Sequence, residues 1–347
     1  MRRLYFVNAP VDFSLIGGFS IAAYCLMRFV GVPDDATWIY KLSALLLWVG
    51  NWPHFSATSF RFYRSRENVK EFPLTAFVVP ALLIAITVSC LHSPGALAPA
   101  FLKFYLIWSP YHFSGQSVGI SLIYARRAGF EIARWQRWCL SSFIFGTFLY
   151  QTALAETDRA ERLFYAIRFY GMGLPSWVPE VLKWLMIAGG VGFLGGVAFW
   201  CWKNKKMVPP IILLPAVTQF VWFVLGGRVR AFNEFVPFFH SVQYLMIAWA
   251  MQLKEKMDEE SIAPSKRYVF GESLRWGVAN VLGGIFLFWI LPRFGEKMGY
   301  DLSFATPVII AAVQIHHFFV DGVIWKLRNP RVHQPLLVNL RELVQPA

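Results

Sequence analysis

The sequence is poor in charged residues. Only 15% of its 347 residues are Asp, Glu, Lys or Arg, whereas 56% are hydrophobic. A soluble domain carries roughly 25% charged residues. Because a helix surrounded by lipid is apolar on every face, this composition argues against a soluble enzyme and predicts an integral membrane protein. The fifteen Trp and thirteen Tyr residues fit aromatic belts at the two membrane interfaces.

Cysteine and acidic residues are also scarce. The four cysteines form no CxxC pair and lie in or beside apolar segments, where they act as small hydrophobic residues. The 20 acidic residues are outnumbered by 33 basic ones, which gives a net charge of +13. The basic residues form short clusters between apolar runs and no continuous face. This pattern is typical of membrane topology, and we therefore expect no nucleic-acid partner.

About ten apolar runs are long enough to cross a bilayer as helices. The stretch 156–180 is too charged to cross, and we predict that it forms an interfacial amphipathic helix followed by a turn rich in Gly and Pro. The sequence contains no repeat and no soluble segment, so residues 1–347 are expected to form one all-α membrane domain. The runs lie at 11–31, 38–60, 74–92, 100–125, 137–155, 181–202, 208–226, 231–252, 271–292 and 302–326.

The distribution of Lys and Arg gives an orientation. With the N-terminus inside, about two thirds of these residues lie in inner loops or at the inner ends of the runs. Positive charge is retained on the cytoplasmic side of a membrane. We therefore predict an even number of spans with both ends in the cytoplasm, in a bacterial inner membrane.

Five of the seven histidines lie inside the predicted runs. Ionisable groups inside a bilayer are costly, so each is a functional candidate. All five lie on even-numbered runs, which cross in the same direction. At 1.5 Å per residue they lie about 10 to 21 Å from the inner edge, which indicates one shared layer. These residues are His54, His112, His240, His316 and His317.

Proline precedes three of these histidines by one to three residues. Proline inside a span removes a hydrogen bond, kinks the helix and frees a carbonyl group. We therefore expect local openings beside the histidine layer. The prolines are Pro53, Pro110 and Pro237.

Polar side chains share helix faces with the same histidines. Residues three or four positions apart lie on one face, and a metal-bound imidazole usually donates its other N–H to a carboxylate, amide or carbonyl. On this basis we predict a metal site with all five histidines as ligands and Asp321, Gln116 and Gln243 as catalytic residues around it. Glu234 is a further candidate ligand. An ion pair of Asp321 with Lys326 or Arg328 is the alternative role for that carboxylate.

Imidazoles without thiolates suit iron, copper or zinc. The most economical function is non-haem iron used for oxygen chemistry on a lipid-soluble substrate. Adjacent His316 and His317 point about 100° apart on a helix, so both bind metal only if the site lies between helices. A haem-binding electron-transfer protein, a proton-coupled transporter and a scaffold with packing histidines are the alternatives. The sequence leaves open the metal, its nuclearity, the substrate, the redox partner and the oligomeric state.

Four local motifs carry these histidines: HFSATSFRFY, YHFSGQSVGI, FHSVQYL and HHFFVDGVIW. Their arrangement resembles that of integral-membrane non-haem iron enzymes. It is similar in kind to the Brp/Blh-type β-carotene dioxygenases and, more distantly, to membrane desaturases and hydroxylases. The resemblance concerns architecture and ligand type, and it does not extend to the substrate. It implies an all-helical bundle in which His54, His112, His240 and His317 hold iron.

Overall fold

A computed structural model of the chain describes residues 4–31, 33, 36–95, 97–325 and 339–344. Within those residues the fold is helical except for one two-stranded hairpin, which confirms the predicted all-α class. Five helices are long and apolar enough to cross a membrane, as expected of an integral membrane protein. They are Ala9–Val30, Leu74–His92, Trp177–Asn204, Lys266–Lys297 and Leu302–Ile324.

Each predicted apolar run overlaps a helix or a helical stretch, while the number that crosses the bilayer stays a prediction. Two helical stretches, 37–64 and 210–228, join α-helix with π or 3₁₀ turns. In chain order the elements are α1 (Ala9–Val30), α2 (37–64), α3 (Arg66–Glu71), α4 (Leu74–His92), α5 (Ala98–Ala128), α6 (Arg134–Ala155), β1 (Glu161–Phe164), β2 (Ile167–Tyr170), α7 (Trp177–Asn204), α8 (210–228), α9 (Arg230–Asn233), α10 (Val236–Glu259), α11 (Lys266–Lys297), α12 (Leu302–Ile324) and α13 (Leu340–Val344).

Several helices contain a widened π turn just before a proline. The π turns Leu47–Asn51, Leu74–Val78 and Phe286–Ile290 each end two residues before a proline. Because proline has no N–H to donate, the preceding carbonyl groups lose their usual partner, and a π turn accommodates the change. In α2 this irregularity ends three residues before His54, as Pro53 predicted, whereas Pro110 lies inside the continuous helix α5.

The segment between α6 and α7 differs from the prediction. Residues 156–180 contain the antiparallel hairpin of β1 and β2, and the expected amphipathic helix is wrong. Along β2 buried and exposed side chains alternate, with Ile167 and Phe169 packed on the helices and Arg168 and Tyr170 outside. Alternation with a period of two, in β-branched and aromatic residues, stabilises a strand and not a helix.

The four helices that carry the buried histidines pack against one another. α12 lies against α2 and α5, and α10 lies against α2. On its other side α2 is held by α11, where Gly284 allows close approach: a Cβ atom there would lie 2.7 Å from the carbonyl carbon of Trp52. The close contact with α11 thus holds the helix turn that carries His54 in a fixed position.

Candidate metal centre

Four imidazole rings meet at the centre of this bundle. The ring centroid of His54, on α2, lies 5.0 Å from that of His240 on α10 and 4.5 Å from that of His317 on α12. The ring of His112, on α5, lies 5.1 Å from His240 and 4.8 Å from His317. Each ring therefore comes from a different helix, so only the folded bundle creates the cluster.

A carboxylate completes the cluster. Asp321 lies one helical turn after His317, and its Oδ2 atom lies 3.4 Å from Nε2 of His317 and 3.6 Å from Nε2 of His112. The two Nε2 atoms are themselves 3.1 Å apart. Together with His54, these residues offer four ligand atoms that all lie within 4.8 Å of one another.

These distances fit a single metal ion. Metal–nitrogen and metal–oxygen bonds of about 2.0–2.2 Å place neighbouring ligand atoms roughly 3 to 4 Å apart. Side-chain shifts of less than about 1 Å would therefore bring the four atoms of His54, His112, His317 and Asp321 onto one ion. His240, predicted as a ligand, lies outside this group of four, but its ring lies beside those of His54 and His112.

The cluster is buried and incompletely hydrogen-bonded. His54 is 0% exposed, and His240 and His317 are each 1% exposed. Within the described residues no hydrogen-bond partner is found for Nε2 of His54, for either ring nitrogen of His240 or for Nδ1 of His317. Leaving a buried polar atom unpaired costs about 1–3 kcal/mol. Several such atoms in one place indicate that the site is built to receive a ligand.

Ser241 fixes the state of one imidazole. Its hydroxyl donates to the carbonyl oxygen of Pro237 at 2.7 Å and accepts from Nδ2 of Asn51 at 3.0 Å. Because the hydroxyl has only one hydrogen, it accepts the third contact, 2.9 Å from Nδ1 of His54. The proton of His54 therefore lies on Nδ1, and Nε2 presents its lone pair to the cluster, which is the state that a metal ligand requires.

Asp321 is oriented in a similar way. Its Oδ1 atom lies 3.1 Å from the indole Nε1 of Trp325, which donates to it, and 3.2 Å from the hydroxyl of Thr58. That hydroxyl shares a second hydrogen bond, 2.5 Å long, with the hydroxyl of Tyr244. With Oδ1 held by donors, Oδ2 is the oxygen that faces His112 and His317.

Sequence reasoning missed Thr58, Tyr244 and Trp325. A signal for them was present, because each lies four residues after a member of the cluster: His54, His240 and Asp321 respectively. Residues four apart occupy one helix face. A second polar layer, one turn further along each helix, therefore supports the first.

The two predicted glutamines lie beside the cluster and not on its imidazoles. Nε2 of Gln116 donates to the backbone carbonyl of His240 at 3.0 Å and to Oε1 of Gln243 at 3.1 Å. Gln243 in turn donates to the backbone carbonyl of Ile16. These bonds hold α5, α10 and α1 together, so the geometry assigns the glutamines to positioning the helices.

His316 is separated from its neighbour. It points to the other side of α12, where its Nε2 atom lies 3.0 Å from the hydroxyl of Tyr63, and it is absent from the cluster. The 100° rotation between adjacent helical residues explains why only His317 faces the cluster. The expectation that both histidines bind metal is corrected accordingly.

Two further expectations need correction. Glu234 is exposed and lies outside the cluster, so the carboxylate comes from Asp321. Pro237 lies in the first turn of α10 and does not kink a span, because the helix begins only at Val236. A proline in a first turn removes no helical hydrogen bond. The alternative partners Lys326 and Arg328 for Asp321 lie outside the described residues.

No family model, curated protein or solved structure matches this chain. The chemistry of the site is therefore argued from its own geometry. Buried imidazoles and one carboxylate, held by outer hydrogen bonds and lined by aromatic rings, form a group that could hold a metal ion.

Proposed function

We propose that the chain is a membrane-embedded metalloenzyme in which the histidine and aspartate cluster holds non-haem iron. The reaction class is oxygen-dependent oxidation of a lipid-soluble substrate, by cleavage, desaturation or hydroxylation. One observation supports the proposal above all: one ligand atom each from His54, His112, His317 and Asp321, carried by three helices, lies within 4.8 Å of the others. Among the described residues Nε2 of His54 has no hydrogen-bond partner, and a bound metal ion would supply one.

The donor set favours iron among the candidate metals. Histidines combined with one carboxylate, with coordination positions left open, are the ligands of non-haem iron oxygenases. Iron bound in this way supplies the redox chemistry that activates oxygen. Copper and zinc accept the same donors and are distinguished by elemental analysis.

The protein's own residues have separable tasks in this proposal. Ser241 keeps the proton of His54 on Nδ1, and Thr58 and Trp325 orient the carboxylate. Phe113 and Phe318 cover two of the rings, with ring centroids 4.0 Å from His240 and 4.6 Å from His112. Each aromatic ring covers one face of its imidazole.

A haem group fits the cluster poorly. A porphyrin must lie between its axial histidines, whereas the four imidazole rings contact one another, with neighbouring ring centroids 4.5 to 5.1 Å apart, and leave no room for the macrocycle. The same closeness supports a bound ion over a relay of separate protonatable groups in a transporter.

The proposed topology has about ten spans with both ends in the cytoplasm of a bacterial cell. The concentration of Lys and Arg in alternate loops supports it. On that topology the four helices of the cluster all run toward the cytoplasm. The resemblance to Brp/Blh-type enzymes implies the same architecture.

The adjacent pair His316 and His317 provides the test. Protein purified in neutral detergent should contain iron at close to one ion per chain when measured by elemental analysis. His317→Gln should lose most of this iron, because it removes one ligand and leaves the set of metal ligands incomplete.

His316→Gln is the matched control, one residue away on the same helix but outside the cluster, and it should keep the iron of the unaltered protein. Equal iron content in the two variants, or no iron above background in the unaltered protein, would overturn the proposal. A Soret band would instead assign a haem.

A further inference from the structure

A cavity of about 570 Å³ adjoins the metal cluster. It reaches the cluster at His112, Tyr244 and Asp321. From there its wall follows α5 as far as Ile123, eleven residues beyond His112, a distance of about 16 Å at 1.5 Å per residue. Arg137, in the first turns of α6, also lines it. The cavity is thus elongated: it runs from Arg137 at a basic end, past the cluster, to Trp108, one turn before His112.

Glycine keeps this cavity open. Gly115 and Gly119 on α5 and Gly322 on α12 line it, and no atom lies within 4 Å of the position that a Cβ would take at any of them. Gly115 and Gly322 are also exposed on the surface of the bundle. The cavity therefore opens to the outside of the bundle between α5 and α12, and larger side chains at these positions would fill it.

The walls are mostly apolar, while the end at Arg137 carries a positive charge. Arg137 is exposed, and in the part of the chain that the structure describes it has no carboxylate partner. Arg134, one turn earlier on α6, is exposed too but does not line the cavity. A ligand with an apolar chain and an anionic end matches this distribution of surface and charge.

We propose that the cavity binds one long-chain fatty acid, with its carboxylate at Arg137 and the middle of its chain beside His112 and Asp321. The stretch of cavity wall along α5 from His112 to Ile123 is about 16 Å long, which is half the hydrocarbon thickness of a bilayer, about 30 Å. A chain anchored at the inner interface therefore presents an internal carbon, and not its head, to the cluster. A volume of about 570 Å³ suits a single-chain ligand better than a two-chain phospholipid. This inference names the class of substrate for the proposed function. The oxidation of the fatty acid rests on that proposed function, but its binding does not.

Binding can be measured with cis-parinaric acid, a fluorescent fatty acid with eighteen carbons, on the full chain in neutral detergent. Gly119→Leu fills the cavity and should weaken binding by at least about tenfold. Gly195→Leu is its matched control: this glycine of α7 also has no atom within 4 Å of a Cβ position, but it lies outside the cavity. Binding to the control should be unchanged. Equal affinities of the two leucine variants would overturn the proposal.

The head group is tested by competition. Oleate should displace the probe at least about tenfold better than oleyl alcohol, which has the same chain and no charge. Arg137→Gln should abolish that difference, whereas Arg134→Gln should preserve it. If the alcohol competes as well as oleate against the unaltered protein, or if phosphatidylglycerol displaces the probe better than oleate, the assignment of a fatty acid is wrong.

Iron content measured on the same samples separates this inference from the proposed function. Gly119→Leu should lose probe binding and keep iron, because Gly119 contributes no ligand atom. Protein without iron that still shows the predicted pattern of probe binding would contradict only the proposed function. Protein with iron whose probe binding ignores Gly119 and Arg137 would contradict only the fatty-acid site.

Discussion

Two regions of the molecule bury polar side chains and treat them differently. Where the hairpin meets α5, Glu156 is 5% exposed, and both of its carboxylate oxygens are satisfied. Oε1 accepts from Arg162 at 3.0 Å, and Oε2 accepts from Lys103 and from the backbone N–H of Met172, each at 2.7 Å. In the histidine cluster, by contrast, several ring nitrogens of comparable burial have no partner.

The contrast distinguishes a structural polar site from a ligand site. A buried carboxylate surrounded by donors stabilises the arrangement of the chain around it and needs nothing further. Buried imidazoles with unpaired nitrogens destabilise the protein until a ligand binds. Burial alone therefore does not identify the functional site, whereas several unpaired ring nitrogens gathered in one place do.

The largest effect on stability is expected at the satisfied site. Glu156→Ala would leave Lys103 and Arg162 without their shared partner, and it should destabilise the protein by about 2–3 kcal/mol, since both cations are partly exposed. Thermal unfolding in detergent would show a lower midpoint, while iron content per folded chain stays constant. A loss of iron at an unchanged midpoint would break the distinction between the two regions.

Ser241→Ala should have the next largest effect, and on metal binding instead of folding. Without this hydroxyl His54 is free to move its proton to Nε2, so metal affinity should fall by about 10- to 100-fold. Titration of the metal-depleted protein with Fe²⁺ under anaerobic conditions measures this. His54 itself remains in place, so some binding should persist.

Ser114→Ala is the matched control for that change. Ser114 is also buried and also donates to the carbonyl of a proline four residues earlier, Pro110, at 2.9 Å, but within the described part of the chain it has no hydrogen bond to an imidazole. Its replacement should leave iron affinity unchanged. If both serine variants bind iron equally, the fixed proton position of His54 has no role in the site.

Much of the site was predictable because it follows helical periodicity. His54, His112 and His317 were recognisable as polar residues in apolar runs, and Asp321 as the residue one turn after His317. Which of two adjacent histidines faces inward was not predictable, because that depends on how α12 is rotated against its neighbours. The tertiary partners of Ser241 likewise come from another helix, at positions that no local pattern specifies.

The hairpin shows the corresponding limit for the fold. Its sequence combines charges and aromatic residues in a way that suits either an interfacial helix or a strand pair. The choice is made by contacts with distant parts of the chain, since Ile167 and Phe169 pack on a cluster that includes Leu102 of α5. Tertiary packing overrides local preference in such short segments.

The turn of that hairpin provides the smallest predicted effect and the sharpest check on the comparison. Tyr165 has a φ angle of +52°, in the left-handed region that an ordinary side chain enters at a cost of about 1–2 kcal/mol. Asparagine tolerates this region better, so Tyr165→Asn should stabilise the protein by about 0.5–1 kcal/mol, seen as a higher unfolding midpoint.

Ala166→Asn, next to it in the turn, is the control and should give no such gain. Because Tyr165 is 54% exposed and contributes no ligand atom, iron affinity should not change in either variant. A shift in iron affinity on Tyr165→Asn would mean that the satisfied region and the ligand site are coupled, and the division drawn between them would then fail.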